Sequence, residues 1–120
     1  MKENNPVAEK SKAFAIRTIR LYQSLTNERK EYVLSRQVLK SGTSIGANVK
    51  EAAGAQSKAD FISKMHIALK EANETEYWLE LLGETGYLTD ADCSGFISDC
   101  QELIKLITRI IKTAKESGTN

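Results

Sequence analysis

Proline is almost missing from this sequence, and its one occurrence, Pro6, stands ahead of the first patterned segment. With apolar residues recurring at helical spacing along nearly the whole chain, little room is left for strands bounded by turn residues. Histidine is as scarce. His66 alone excludes a histidine-rich metal site within one subunit, and the Glu71 to Glu74 spacing lacks the histidine of the Glu-x-x-His pattern that di-iron bundles use. The two cysteines, Cys93 and Cys100, are seven apart, about 10 Å along one helix and too far for a bridge. They fall on or beside an apolar face with no histidine near in sequence, so they read as reduced, inert core thiols. No apolar run reaches the roughly 18 residues of a membrane span, and Met1 to Lys10 is polar, unlike a secretion signal. These absences predict a cytoplasmic protein with no catalytic constellation, no metal, no cofactor and no membrane partner.

What is present is a 120-residue chain, one ordinary domain, long enough to bury about two-thirds of the surface its unfolded form exposes. The pattern predicts an all-α, antiparallel up-down-up-down four-helix bundle, with helices at about 7–26, 31–55, 58–85 and 90–117 in a single domain spanning 1–120. Ser11, Phe14, Thr18, Leu21 and Leu25 share one face of the first helix. Leu34, Val38, Ser41, Ile45, Asn48 and Ala52 form the seam of the second, which continues through Gly42 and Gly46. Ser57, three residues before Asp60, and Thr89, three before Asp92, give capping-box-like starts to the third and fourth helices. Their seams are Phe61, Met65, Ala68, Ala72, Thr75, Leu79 and Leu82, then Phe96, Cys100, Leu103, Ile107, Ile110 and Ala114. Gly86 and Gly118 stop them.

The fourth helix carries a second stripe, Ile97, Ile104 and Ile111, at intervals of seven and displaced by one from its seam. Such a stripe is either a subunit interface or part of a wide core face. Gly42 and Gly46, four apart, leave one helix face without side chains. That surface suits close approach of another helix, of the same subunit or its neighbour, and no basic residue accompanies it as a phosphate cradle requires. Asn48 and Thr75 put polar groups on apolar seams, and Asn48 reads as a register-fixing contact. Tyr77 and Trp78 lie beside a seam, where one completes the core and the other reaches an interface or a base.

The stretch from Arg36 to Ala52, with Ser41-Gly42-Thr43-Ser44-Ile45-Gly46-Ala47-Asn48 at its centre, precedes Phe61 and a second stretch, Ala68 to Leu79, that ends Glu74-Thr75-Glu76-Tyr77-Trp78-Leu79. Together they resemble the four-helix-bundle family encoded in the intervening sequences of bacterial 23S ribosomal RNA genes, also labelled S23 ribosomal protein. The resemblance spans most of the chain and implies a homopentameric ring of bundles. The family is more distantly similar to the accessory protein of diversity-generating retroelements, a pentameric basic barrel that binds nucleic acid and a reverse transcriptase. A role in RNA or DNA binding is what this likeness implies.

Charge is small in total and strongly segregated. The net charge is +1, yet residues 1–70 hold 13 basic against 6 acidic side chains, residues 71–100 hold none against 8, and residues 101–120 hold 4 against 2. Folded up and down, one end of the bundle is basic and the other acidic. Lys105, Arg109 and Lys112 recur at i, i+4 and i+7 on one helix face with Lys115 beside them, while Lys10, Lys12, Lys50, Lys58 and Lys64 come from the same end. Arg17, Arg20, Arg36 and Lys40 fall toward the acidic half, where Glu74, Glu76 and Glu80 are the expected partners within or between subunits. The sequence thus predicts a homo-oligomer that binds nucleic acid through its basic end, or else a scaffold that docks a protein partner on its acidic end or isoleucine stripe.

Overall fold

The computed structural model describes residues 5–117. Four helices follow one another: α1 (Pro6–Asn27), α2 (Leu34–Ala53), α3 (Lys58–Glu84) and α4 (Asp90–Glu116). They pack up and down into a bundle 51 Å long and about 20 Å across. The α1–α4 side is the thinnest of the four adjacent contacts. Gly118 lies outside the described residues, and no helix among the described residues is long and apolar enough to cross a membrane.

Each helix starts where its capping chemistry places it. Asn5 Oδ1 accepts from Ala8 N at 3.3 Å with Pro6 at the first helical position, Ser57 Oγ accepts from Asp60 N at 3.1 Å, and Thr89 Oγ1 accepts from Asp92 N at 3.1 Å. Gly86 ends α3 in the left-handed region at φ 87°, and Tyr87 N reaches back to the Leu82 carbonyl at 2.9 Å.

The second helix departs from the sequence pattern: it begins at Leu34, not near 31. Lys30 turns the chain at φ 57°, and the Glu31 carboxylate then accepts from the amides of Val33 (3.2 Å), Leu34 (2.9 Å) and Ser35 (2.7 Å). A residue whose side chain satisfies these orphan amides cannot itself be inside the helix. Burial raises the Glu31 pKa, and the bonds from Leu34, Ser35 and Val33 lower it by more, so the carboxyl sits below its ordinary value.

One core runs through the bundle. The α1 seam is buried as expected, joined by Val7. On α2 the buried residue is Val49 rather than Asn48, because successive turns drift the seam one position forward. Asn48 is half-exposed and donates to Ser44 O on its own helix at 2.9 Å, so it fixes no register. The buried polar link is between Thr75 and Ser41, whose hydroxyls are 2.8 Å apart, with Thr75 Oγ1 also 2.7 Å from the Glu71 carbonyl. On α4 the drift exchanges two isoleucines: Ile111 is buried and Ile110 only partly so. Trp78 packs against the core and donates from Nε1 to Glu74 Oε2 at 3.1 Å, while Tyr77 is 54% exposed.

Gly42 and Gly46 serve the α1–α2 contact inside one subunit. A Cβ at Gly42 would stand 2.7 Å from Thr18 Cγ2, and one at Gly46 would stand 3.3 Å from the Ser11 carbonyl oxygen. Gly83 does the same for α3 and α4, where a Cβ would strike the Cys93 sulfur. Nothing in the local pattern around Gly83 distinguished it from the glycines of helix ends.

Candidate nucleic-acid interface

The up-down order brings the start of α1, the end of α2, the start of α3 and the end of α4 to one end of the bundle, where the sequence concentrates its lysines. The nine basic residues singled out there differ in their surroundings. Two are held in ion pairs. Lys10 Nζ lies 3.1 Å from Glu102 Oε2 across the α1–α4 seam, and Lys64 Nζ lies 3.8 Å from Glu51 and 3.9 Å from Asp60. Lys58, at the first position of α3, is half-buried.

Lys12 and Lys50 stand on opposite walls of a groove between α1 and α2, with a volume of about 490 Å³, floored by small residues including Ala15, Gly46 and Ala47. Lys105, Arg109 and Lys112 run along the outward face of α4, with Lys115 one turn further. All four are exposed, and among the described residues none has an ion pair or a hydrogen bond. The row spans about 10 Å along the helix axis, an open line of positive charge.

Arg17 lies elsewhere than its predicted acidic partners. It pairs with Asp99, and its guanidinium carbon stacks 4.2 Å over the Phe96 ring. Glu74 and Glu76 instead accept from Trp78 and Gln101 (2.8 Å), and among the described residues neither forms an ion pair with an arginine of the same chain. For Arg17 the reason is topological: α3 lies diagonally across the bundle from α1, and α4 is the helix beside it. Lys10–Glu102 and Arg17–Asp99 together bridge the thin α1–α4 side.

The isoleucine stripe packs largely against the core of its own chain. Ile111 is 5% exposed, and Ile97 and Ile104 are partly buried against the core. Exposed large apolar side chains lie on other elements: Ile16 and Ile19 on α1, Ile67 and Tyr77 on α3, and Tyr32 and Val33 before α2.

Neither thiol is activated. Burial, with Glu76 and Asp99 nearby, pushes Cys100 up to about 12, and Cys93 is raised by partial burial and the fields of Asp90, Glu80 and Glu84. Each points at a carbonyl of α3: Cys100 Sγ is 3.2 Å from Ala72 O and Cys93 Sγ is 3.5 Å from Leu79 O. Among the described residues no cluster of histidine, cysteine, aspartate or glutamate has the arrangement of a metal site.

The model of the 23S rRNA-intervening sequence protein family matches residues 3–109. A crystal structure of a protein of unknown function from the S23 ribosomal protein family of Bacteroides thetaiotaomicron is 58% identical, covers 91% of this chain and 97% of its own, and superposes with a TM-score of 0.90. Among curated proteins none matches the chain significantly.

Proposed function

The chain belongs to the family of 23S rRNA-intervening sequence proteins, and from its free cationic row we propose that it is a non-enzymatic, self-assembling module that binds nucleic acid, RNA foremost. The observation that carries the reading is the exposed, unpaired line of Lys105, Arg109 and Lys112 at the end of the bundle where Lys12, Lys50 and Lys115 also lie. Three cations on a straight helix face meet phosphates without reading bases, so binding is weak in sequence preference and steep in salt. Assembly into a ring, a pentamer by family likeness, multiplies the field of each row.

The test is a titration of labelled ribosomal RNA by fluorescence anisotropy at about 50 mM and 200 mM salt. The charge-reversed variant K105E/R109E/K112E is expected to lose binding, with log K less sensitive to log salt by roughly 0.7 to 0.9 for each phosphate contact removed. A wild-type protein that binds no RNA or DNA at the lower salt refutes the reading. Self-assembly is checked by light scattering, where a monomer at micromolar concentration overturns that part.

A second reading, a protein-interaction scaffold, is favoured by a separate observation. Ile16 and Ile19 are 43% and 41% exposed on α1, and Tyr77 and Ile67 are 54% and 38% exposed on α3. These faces suit a partner helix or a second copy of the chain. Under this reading the charge-reversed variant keeps its partner.

A further inference from the structure

At the basic end, the start of α3 and the end of α4 leave a notch of about 320 Å³ lined by Phe61, Arg109, Ile110, Thr113 and Ala114. We propose that this notch is a nucleobase site, in which an unstacked base of single-stranded RNA or DNA lies against Phe61 while its flanking phosphates meet the α4 cations. The inference rests on the nucleic-acid reading above and deepens it, since it gives a row of phosphate contacts a preference for single strands.

Three features converge there. Phe61 is only partly buried, and among the described residues it takes part in no ring pair or cation–π contact, whereas Phe14 pairs with Phe96, Tyr77 with Trp78, and Arg29 covers Tyr87. The lining is otherwise aliphatic, through Ile110 and Ala114, and shallow enough to admit a flat ring from outside. Arg109 borders the notch with a planar, unpaired guanidinium that suits both stacking and phosphate contact, and Lys105 and Lys112 flank it at one turn on either side.

Electrostatics at the rim favours an anion. The nearest carboxylate in sequence, Asp60, is engaged by Gln56 N at 3.4 Å and Lys64 Nζ at 3.9 Å. A duplex keeps its bases stacked and offers the notch nothing, so it would use only the cationic row.

The experiment compares a single-stranded RNA carrying 2-aminopurine with the duplex of the same sequence, using the full chain. Wild-type protein is expected to prefer the single strand and to change 2-aminopurine fluorescence on binding. Phe61→Leu, which keeps apolar volume but removes the aromatic face, is expected to reduce the single-strand over duplex preference by about tenfold. Arg109→Lys, which keeps charge and loses planarity, reduces it by a smaller factor. Retention of the helical circular dichroism and melting temperature confirms that the variants are folded. An unchanged preference in Phe61→Leu, an unaltered 2-aminopurine signal in the wild type, or equal competition by poly-glutamate overturns the nucleobase site while duplex binding preserves the phosphate reading. Failure to bind either nucleic acid overturns both.

Discussion

Replacing Gly42 by alanine sets two effects of opposite sign against each other. Alanine inside a helix is favoured over glycine by about 1 kcal/mol, so at a free surface the substitution stabilises. At Gly42, however, the new methyl would lie 2.7 Å from Thr18 Cγ2, 2.8 Å from Thr18 Oγ1 and 3.2 Å from Thr18 Cβ. Thr18 is fully buried and its hydroxyl donates to Phe14 O at 2.8 Å, so it has no room to swing aside. Overpacking of this kind costs about 1 to 3 kcal/mol, and the net expectation is a loss of about 1 kcal/mol, or about 3 to 6 °C in Tm for a domain of this size. Urea and thermal unfolding followed by circular dichroism measure it. Two companions sharpen the result. Gly54→Ala meets nothing nearer than the Glu51 carbonyl oxygen at 3.9 Å, and should be neutral or slightly stabilising. Thr18→Ala removes two of the three clashing atoms, so the pair with Gly42→Ala should be less destabilised than the sum of the single variants, by about 1 kcal/mol. A clash with Thr18 fails as the cause if Gly42→Ala is as benign as Gly54→Ala. It also fails if Gly42→Ala dissociates an oligomer while leaving subunit stability intact, which would place Gly42 at a subunit boundary.

Two further outcomes follow from single side chains. The Glu31 carboxyl is depressed below 4.5 by the amides of α2, so its contribution is present above that pH and disappears as pH falls through the lower folded value. Glu31→Gln should therefore cost about 1 kcal/mol in urea unfolding at pH 7 and progressively less below pH 4.5, and a gap that stays constant with pH would contradict the cap. Cys100, held protonated with its pKa at about 12, should resist a thiol reagent at pH 8 until urea unfolds the chain, while Cys93 reacts slowly in the native protein. Rapid labelling of two thiols per chain without denaturant would be the opposite result.

The fold was legible in the sequence because its signals are local. Ser57, Thr89 and Gly86 act within one turn of themselves, and the spacing of Phe14, Thr18, Leu21 and Leu25 sets a face without reference to any other helix. The candidate site was only half legible. The i, i+4, i+7 spacing of Lys105, Arg109 and Lys112 placed them together, but the same pattern of exposed lysines included Lys10 and Lys64, which carboxylates remote in sequence or one turn away claim. The notch at Phe61 was hidden altogether, since it forms where residues of α3 and α4 separated by about fifty positions come together.

Helical period and capping chemistry by themselves determined that four helices form and roughly which stripe of each is apolar. They could not determine phase within a residue, and so Val49 and Ile111 occupy the core places read for Asn48 and Ile110, because seam position drifts as successive turns accumulate. Tertiary structure decided what each stripe meets: Thr18 against Gly42, Cys93 against Gly83, Asp99 against Arg17 at a separation of 82 residues. Distances between helices depend on packing of side chains from several segments at once, and no periodicity in one segment encodes them.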